Sequence, residues 1–253
     1  MSAGVFDLKG KTALVTGASS GLGAHFGSVL ASAGANLILA ARRVDSLKDV
    51  SKTIASSCNV KIEILKLDVT SAESVRTAFS AIGDIDILVN NAGIANTAAA
   101  LDQSEESWDT VLNSNLKGAF LVAQAAARCM SAAKSPGSII NVASILGIRQ
   151  SGTVLPYAVS KAGLIQMTKL LALELARFDI RVNALAPGYF DTNLNRDFWR
   201  SEAGNALIRR VPQRRLGQLC DLDGPLILLA SDASRFMTGS VLPVDGGHLV
   251  STL

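Results

Sequence analysis

The sequence predicts a single α/β domain in which a parallel sheet is covered by helices on both faces. Three observations carry this prediction. Short β-branched or apolar runs alternate with helical stretches from one end of the chain to the other. The strand-like runs are continuously apolar, as expected of strands buried on both faces. A glycine-rich turn joins the first such run to the first helical stretch.

In order, residues 12–16 read as a strand and 21–33 as a helix. A strand at 36–41 precedes a helix at 46–57, and a strand at 61–67 precedes a helix at 72–81. The strand at 86–90 leads into a long helical region over 104–133, with a break near Asn113. A strand at 138–142, a helix at 157–178 and a strand at 181–186 follow. A helix at 221–231 and a last strand at 240–244 close the chain. The least regular part is 187–217, which holds Tyr189, Phe190, Phe198 and Trp199. A long irregular segment in a compact domain usually serves function, so a substrate loop is expected there. There is no low-complexity linker and no internal repeat.

Composition excludes several classes. At 253 residues and 49% hydrophobic content, one domain can bury its own core without staples. Cys58, Cys129 and Cys220 make no CxxC pair and no disulfide framework, which predicts a reducing, cytoplasmic setting. His25 and His248 stand far apart, so no metal site is expected. A net charge of +3 without a Lys/Arg run argues against nucleic-acid binding. The start of the chain lacks the pattern of a signal peptide, and no apolar run is long enough to span a membrane. The mean hydropathy of +0.33 is high and points to extra buried surface, between subunits or in a large core alone.

Thr16-Gly17-Ala18-Ser19-Ser20-Gly21-Leu22-Gly23 ends the first strand and opens the first helix. Such a turn lets backbone approach a diphosphate closely, and the helix start offers free N–H groups with partial positive charge. The spacing is GxxxGxG rather than the GxGxxG of other dinucleotide-binding folds. The second strand ends in Ala41-Arg42-Arg43. A site built for NAD usually places a carboxylate there for the ribose hydroxyls. Ala41 has none, and an arginine fork suits a 2′-phosphate. NADP(H) is therefore the expected cofactor, with NAD(H) second.

Tyr157 and Lys161 are four residues apart at the start of a predicted helix, hence on one face. A free tyrosine titrates near pH ~10, and a neighbouring ammonium is expected to lower that value. Ser144, at the end of a strand, can hydrogen-bond a substrate oxygen.

Together these motifs resemble the short-chain dehydrogenase/reductase family, and the resemblance runs along essentially the whole chain. It rests on TGASSGLG at 16–23, Asp68-Val69, Asn90-Asn91-Ala92-Gly93, Asn113-Ser114-Asn115, Ser144, Tyr157-Ala158-Val159-Ser160-Lys161, Pro187-Gly188 and Asp245-Gly246-Gly247. It implies a Rossmann-type, doubly wound, seven-stranded parallel sheet, usually assembled as a homotetramer. It also implies that Gly17, Ser19, Gly21, Leu22 and Gly23 line the diphosphate and ribose, and that Asp68 and Val69 flank adenine. Asn90, Ala92 and Gly93 would shape the cofactor cleft. Pro187, Gly188 and Thr192 would border the nicotinamide. Tyr157 would exchange the proton, and Lys161 would also bind the nicotinamide ribose. Ser144 would orient the substrate oxygen, and Asn115 would support a water relay to Lys161. Many NADP-using members carry a basic residue where this chain has Ser20, so NADP preference rests here on Ala41 and Arg42, helped by Arg43.

The expected activity is hydride transfer between NADP(H) and a carbonyl or secondary alcohol. A 3-oxoacyl thioester reductase is the narrower alternative, and a non-catalytic nucleotide sensor is the alternative from another class. Epimerases and dehydratases on this fold usually have a longer chain. The substrate pocket is expected from 91–97, 144–156 and 187–217, with Ile145, Leu146, Val154, Leu155, Tyr189 and Phe190 as apolar lining. The helices at 119–133 and 158–176 carry Ala and Leu on more than one face, which predicts assembly through them. Blander readings suit other residues. His25 packs or faces solvent, Cys129 is small and buried, and His248 lies on the surface, the alternative being that it reaches a subunit interface or a neighbouring active site. Trp199 and Phe198 either wall the pocket or staple a helix. Arg209, Arg210, Arg214 and Arg215 form a solvated helix end with ion pairs.

Overall fold

The computed structural model describes residues 4–191 and 199–250. Seven strands, β1 (Thr12–Thr16), β2 (Asn36–Ala41), β3 (Ile62–Lys66), β4 (Ile87–Asn90), β5 (Gly137–Val142), β6 (Ile180–Pro187) and β7 (Val241–Val244), form one sheet. Its order is β3-β2-β1-β4-β5-β6-β7, with every neighbouring pair parallel. The order reverses between β1 and β4. In such sheets the crevice beyond the strands' C-terminal ends at the reversal is the binding site.

Consecutive strand residues point to opposite faces. Val15, Leu37, Leu39, Ile87 and Val89 enter one core with Phe26 and Leu30 of α1 (Gly21–Ser32), Leu47 and Ile54 of α2 (Val44–Ala55), and the buried leucines 222, 226 and 229. Leu14, Ile38 and Leu88 enter the other, with Val75 of α3 (Ala72–Ala81) and Val122, Ala126 and Met130 from further along the chain. This is the doubly wound arrangement that the continuous apolar strands predicted.

The long helical region divides as expected near Asn113. α4 (Glu105–Leu112) passes into a π turn, Asn113–Lys117, and then α5 (Gly118–Ala133). Ser71 and Ser104 cap α3 and α4 by accepting from the amides of Ser74 and Ser107 at 3.2 and 3.1 Å. Lys134, in the left-handed region at φ 52°, ends α5. α6 (Leu155–Leu175) starts two residues before Tyr157, because Pro156 fits its first turn. The segment read as a substrate loop is less irregular than expected: β6 runs to Pro187, and α7 (Glu202–Ile208) lies within it, capped by Ser201. α8 (Asp223–Ala230) is entered through a 3-10 turn, Leu219–Leu222. Among the described residues no helix is long and apolar enough to cross a membrane.

Candidate active site

The glycine-rich turn is held against the end of β4 by Thr16. Its hydroxyl accepts from the amides of Asn91 and Ala92, each at 3.0 Å, and its carbonyl accepts from Asn91 Nδ2 at 2.9 Å. A Cβ on Gly23 would lie 2.3 Å from the Gly17 carbonyl oxygen, so only glycine lets α1 start this close to the turn. The first turn of α1 has no acidic residue, and the Ser20 side chain does not cap it. The positive end of the helix therefore faces the crevice, a cradle that fits a diphosphate.

On the β2 side, Arg42 and Arg43 are both exposed. Arg43 Nη2 reaches Ser19 Oγ at 3.4 Å, which brings it onto the glycine turn. Asp68 accepts from the Thr70 hydroxyl at 2.7 Å and its amide at 3.0 Å. The Thr70 hydroxyl is the main cause holding the Asp68 carboxyl below its ordinary range, against the opposing effect of burial, with smaller help from the Thr70 amide and the Arg42 charge. Val69 is buried against the start of α5. The chemistry of these residues, the hydrogen-bonded Asp68–Val69 segment with Arg42 near it and Arg43 on the glycine turn, fits an adenosine carrying an extra phosphate.

At the centre, the ends of β4 and β5 meet α6. Ser144 follows β5, is buried, and accepts from the Leu146 amide at 3.1 Å. It hydrogen-bonds the Tyr157 phenol, whose pKa is nevertheless raised. Burial is the main cause, with the nearby Tyr189 phenol acting in the same direction. Lys161 is buried, and its Nζ donates to the Val142 carbonyl at 2.7 Å and lies 5.6 Å from the Tyr157 ring centre. Burial lowers the Lys161 pKa to about 8. The expectation that Lys161 would lower Tyr157 is thus corrected. Desolvation of the phenol outweighs the opposing effect of Ser144.

Asn115 sits in the π turn and is buried. Its Oδ1 accepts from the Ile94 amide and its Nδ2 donates to the Ile94 carbonyl, both at 2.8 Å. Nδ2 also reaches Ser160 Oγ at 3.1 Å, and that hydroxyl donates to the Tyr157 carbonyl at 2.7 Å. Asn115 and Ser160 therefore join the segment after β4 to the first turn of α6. A π turn occurs mostly at functional positions, and this one carries Asn115 beside Gly93, whose notional Cβ would be 3.6 Å from Lys161 Nζ. Asn90 points beneath the crevice, to the Ala119 carbonyl at 2.7 Å and Asn141 at 3.2 Å. It supports the cleft floor from below.

The far wall is formed after β6. Gly188 packs on Asp245, leaving no room for a side chain, and its amide donates to the Val244 carbonyl at 2.9 Å. Tyr189 meets Trp199 and His248 edge to face, each with ring centres 5.3 Å apart. His248 is buried, not on the surface as expected, because the turn after Asp245 folds it inward; burial lowers its pKa first, and the Arg149 charge next. Phe190 packs deeper than Tyr189. It is buried in the α1-side core and covers Gly217, while still lining a cavity with Tyr189 and Asp245. Cys129 is only half-buried. His25 contacts Asp223 at 2.6 Å, and Arg215 pairs with Asp221 at 2.6 Å, both structural links. Thr192 and Phe198 lie outside the described residues.

The sequence reading assigned no role to Thr16, Ser160 or Arg149. The first two sit inside the recognised motifs, but their bonds run between distant segments.

Comparison with known proteins follows the same lines. A family model described as enoyl-(acyl carrier protein) reductase matches residues 17–248. A 2-dehydro-3-deoxy-D-gluconate 5-dehydrogenase of Escherichia coli (strain K12) is 39% identical over 247 residues, covering 96% of this chain and 97% of that protein. The 3-oxoacyl-(acyl-carrier-protein) reductase FabG of Thermotoga maritima is 38% identical over 96% of this chain and 99% of its own. The crystal structure of a gluconate 5-dehydrogenase from Burkholderia cenocepacia J2315, in complex with NADP and tartrate, matches with a TM-score of 0.95 and 36% identity over 100% of both chains. A short-chain type dehydrogenase/reductase from Mycobacterium marinum gives 0.90 and 40% over 96% of this chain and 97% of that one.

Proposed function

Because the chain belongs to the short-chain dehydrogenase/reductase family, an NAD(P)-dependent oxidoreductase acting on CH–OH groups, we propose that it interconverts a secondary alcohol and a carbonyl with NADP(H) as the preferred cofactor. The observation that carries this reading is the Tyr157 ring 5.6 Å from the buried Lys161 Nζ, with Ser144 acting on the phenol and Gly93 close to the ammonium. The cofactor, when bound, supplies or accepts the hydride.

Gly17, Ser19, Ser20, Gly21, Leu22 and Gly23 would hold the diphosphate and adjoining ribose. Arg42 and Arg43 would receive the 2′-phosphate, and Asp68 and Val69 would flank the adenine. Ala92, Gly93, Pro187 and Gly188 would enclose the other end, with Thr192 beside them. In reduction, Ser144 donates to the substrate oxygen and Tyr157 gives it a proton; in oxidation, Tyr157 takes that proton. Raised by burial, the Tyr157 phenol stays protonated at neutral pH and so is present as the proton-carrying form for reduction, whereas oxidation needs it deprotonated, which neighbouring positive charge favours. Lys161 supplies such charge when protonated and also binds the nicotinamide ribose. Asn115, through Ile94 and Ser160, holds the first turn of α6 in register and supports a water path to Lys161.

Two substrate classes have support. Sugar acids are favoured by the named activities of the E. coli and B. cenocepacia relatives. 3-Oxoacyl thioesters are favoured by the T. maritima relative. Assembly through the outer faces of α5 and α6 completes the reading, as a dimer and then a homotetramer. The test is a panel of sugar acids, 3-oxoacyl thioesters and neutral carbonyls and alcohols, assayed with both cofactors. Turnover of no member would remove the reading.

A further inference from the structure

α6 carries Tyr157 and Lys161, yet its apolar residues do not say which side of it faces the sheet. Leu155, Val159, Leu170 and Leu173 are exposed while Leu164, Ile165 and Ala172 are buried, so apolar side chains occupy both faces. At about 100° per residue, Tyr157, Lys161, Leu164 and Thr168 fall within about 60° of one another, on a single stripe. That stripe is turned inward: Lys161 is 4% exposed, Leu164 1% and Thr168 0%. Any rotation of α6 about its axis therefore moves Thr168, Lys161 and Tyr157 together.

A directed chain of buried polar groups reaches that stripe from the sheet. Asn90, the last residue of β4, donates from Nδ2 to the Ala119 carbonyl of α5 at 2.7 Å and to Asn141 Oδ1 at 3.2 Å. Asn141, its register partner on β5, donates from Nδ2 to Thr168 Oγ1 at 2.9 Å. The Thr168 hydroxyl gives its one proton to the Leu164 carbonyl at 2.8 Å, so toward Asn141 it can only accept. Each group in the chain thus fixes the orientation of the one before it, and all three side chains are buried. The next residue along β5, Val142, accepts from Lys161 Nζ at 2.7 Å. Two consecutive residues of β5 therefore grip α6 at two places on the same stripe, Thr168 and Lys161.

We propose that Asn141 and Thr168 are positioning residues for the proton chemistry: their bond sets the rotation of α6, and with it the place of Lys161 Nζ beside the Tyr157 phenol. The inference rests on the carbonyl/alcohol reading above. Apolar contacts alone would accept a rotated α6, because the helix offers leucine and valine from its other side as well. A rotated α6 would leave Asn141 Nδ2 and Lys161 Nζ inside the protein without their acceptors, and an unmet buried donor costs the full desolvation of that group. A single buried polar residue selects one register among apolar alternatives in coiled coils by the same physics. Both residues act through the helix rather than on the reacting atoms.

The test uses the full-length enzyme with NADP and the alcohol of the panel above that wild type oxidises fastest. Thr168→Val keeps the shape of the side chain and removes the hydroxyl, and Thr168→Ser keeps the hydroxyl. Asn141→Leu is the milder break, because Thr168 retains the Leu164 carbonyl and Asn90 the Ala119 carbonyl. Ile54→Ala, in α2 on the other face of the sheet, controls for lost stability, which thermal melting measures in every variant. In Thr168→Val and Asn141→Leu, kcat should fall roughly ten- to hundredfold with KM for the alcohol little changed. The rise of kcat with pH should move to higher pH, because a displaced ammonium no longer favours the phenolate. Thr168→Ser should restore both. If the two breaks keep the wild-type kcat and pH profile, or if Ile54→Ala reproduces their change, the positioning role falls and the carbonyl/alcohol reading stands. Should Thr168→Val not fold, Asn141→Leu against Ile54→Ala decides in the same way. If no member of the panel is turned over, the broader reading falls and hydrogen exchange at residues 155–162 decides alone: faster exchange in Asn141→Leu than in Ile54→Ala upholds the rotation, and equal exchange overturns it.

Discussion

Lys161 Nζ donates to the Val142 carbonyl at 2.7 Å, tying the first turns of α6 to the last residue of β5. The bond holds the amine out of water, and burial lowers its pKa to about 8. The unfolded chain therefore holds the proton more tightly than the folded one. Below about pH 8 the full cost falls on the folded state, on the order of 3 kcal/mol. It is relieved progressively as pH rises from there toward the ordinary lysine value of ~10.4. Lys161→Met removes this cost but also a hydrogen bond, about 1 kcal/mol. The variant should therefore melt higher than wild type at pH 7, with the gap narrowing by pH 10, while turnover is lost. A Met variant that melts lower at pH 7 would show that the ammonium is not strained.

Tyr157→Phe keeps the ring and removes the proton. Turnover should fall by about 10²–10⁴-fold with cofactor affinity little changed. In wild type, the raised Tyr157 pKa makes alcohol oxidation climb with pH through neutrality while carbonyl reduction does not. Steady-state rates in both directions across pH, with cofactor binding by fluorescence, check this. Retention of turnover within tenfold would remove Tyr157 from the chemistry.

The Arg42 charge acts on Asp68, and Arg43 reaches Ser19 on the glycine turn. Loss of a charge-assisted bond to a 2′-phosphate costs about 1.5–3 kcal/mol, roughly ten- to hundredfold. Arg42→Ala should weaken NADPH by that factor and leave NADH unchanged, and Ala41→Asp combined with it should invert the preference. Values of kcat/KM for both cofactors decide. Equal weakening of both would transfer the phosphate to Arg43.

The outer face of α6 exposes Leu155 (43%), Val159 (39%), Leu170 (52%) and Leu173 (78%), and α5 adds Phe120 (39%). Apolar side chains repeated along one helix face mark an interface. Leu173→Arg, alone or with Leu170→Arg, should shift the protein toward smaller species in light scattering without unfolding it. A wild type that is monomeric at micromolar concentration would refute assembly through this face.

The alternation of apolar runs and helical stretches made the order of elements legible, because a strand buried on both faces has little choice of composition. Helix starts were less legible: α2 begins at Val44 and α6 at Leu155, neither with a side-chain cap to mark it, and α6 takes Pro156 into its first turn. His248 shows the limit most clearly. One residue in the sequence resembles a surface histidine, yet the Asp245 turn and Tyr189 place it inside.

By itself, the sequence determined the fold class, the phosphate turn, the residue types of the candidate site and the family resemblance. Each of these is written in local spacing: Gly17 and Gly23, Ala41 and Arg42, Tyr157 and Lys161. Only the tertiary structure decided the electrostatic state of the site and the neighbours of Arg149. The direction of the Tyr157 shift depends on desolvation, which comes from all the elements packed around the phenol. The juxtaposition of Arg149 with His248 joins the segment after β5 to the turn after β7. No pattern within either segment encodes that contact, because the parallel sheet brings them together only when it closes.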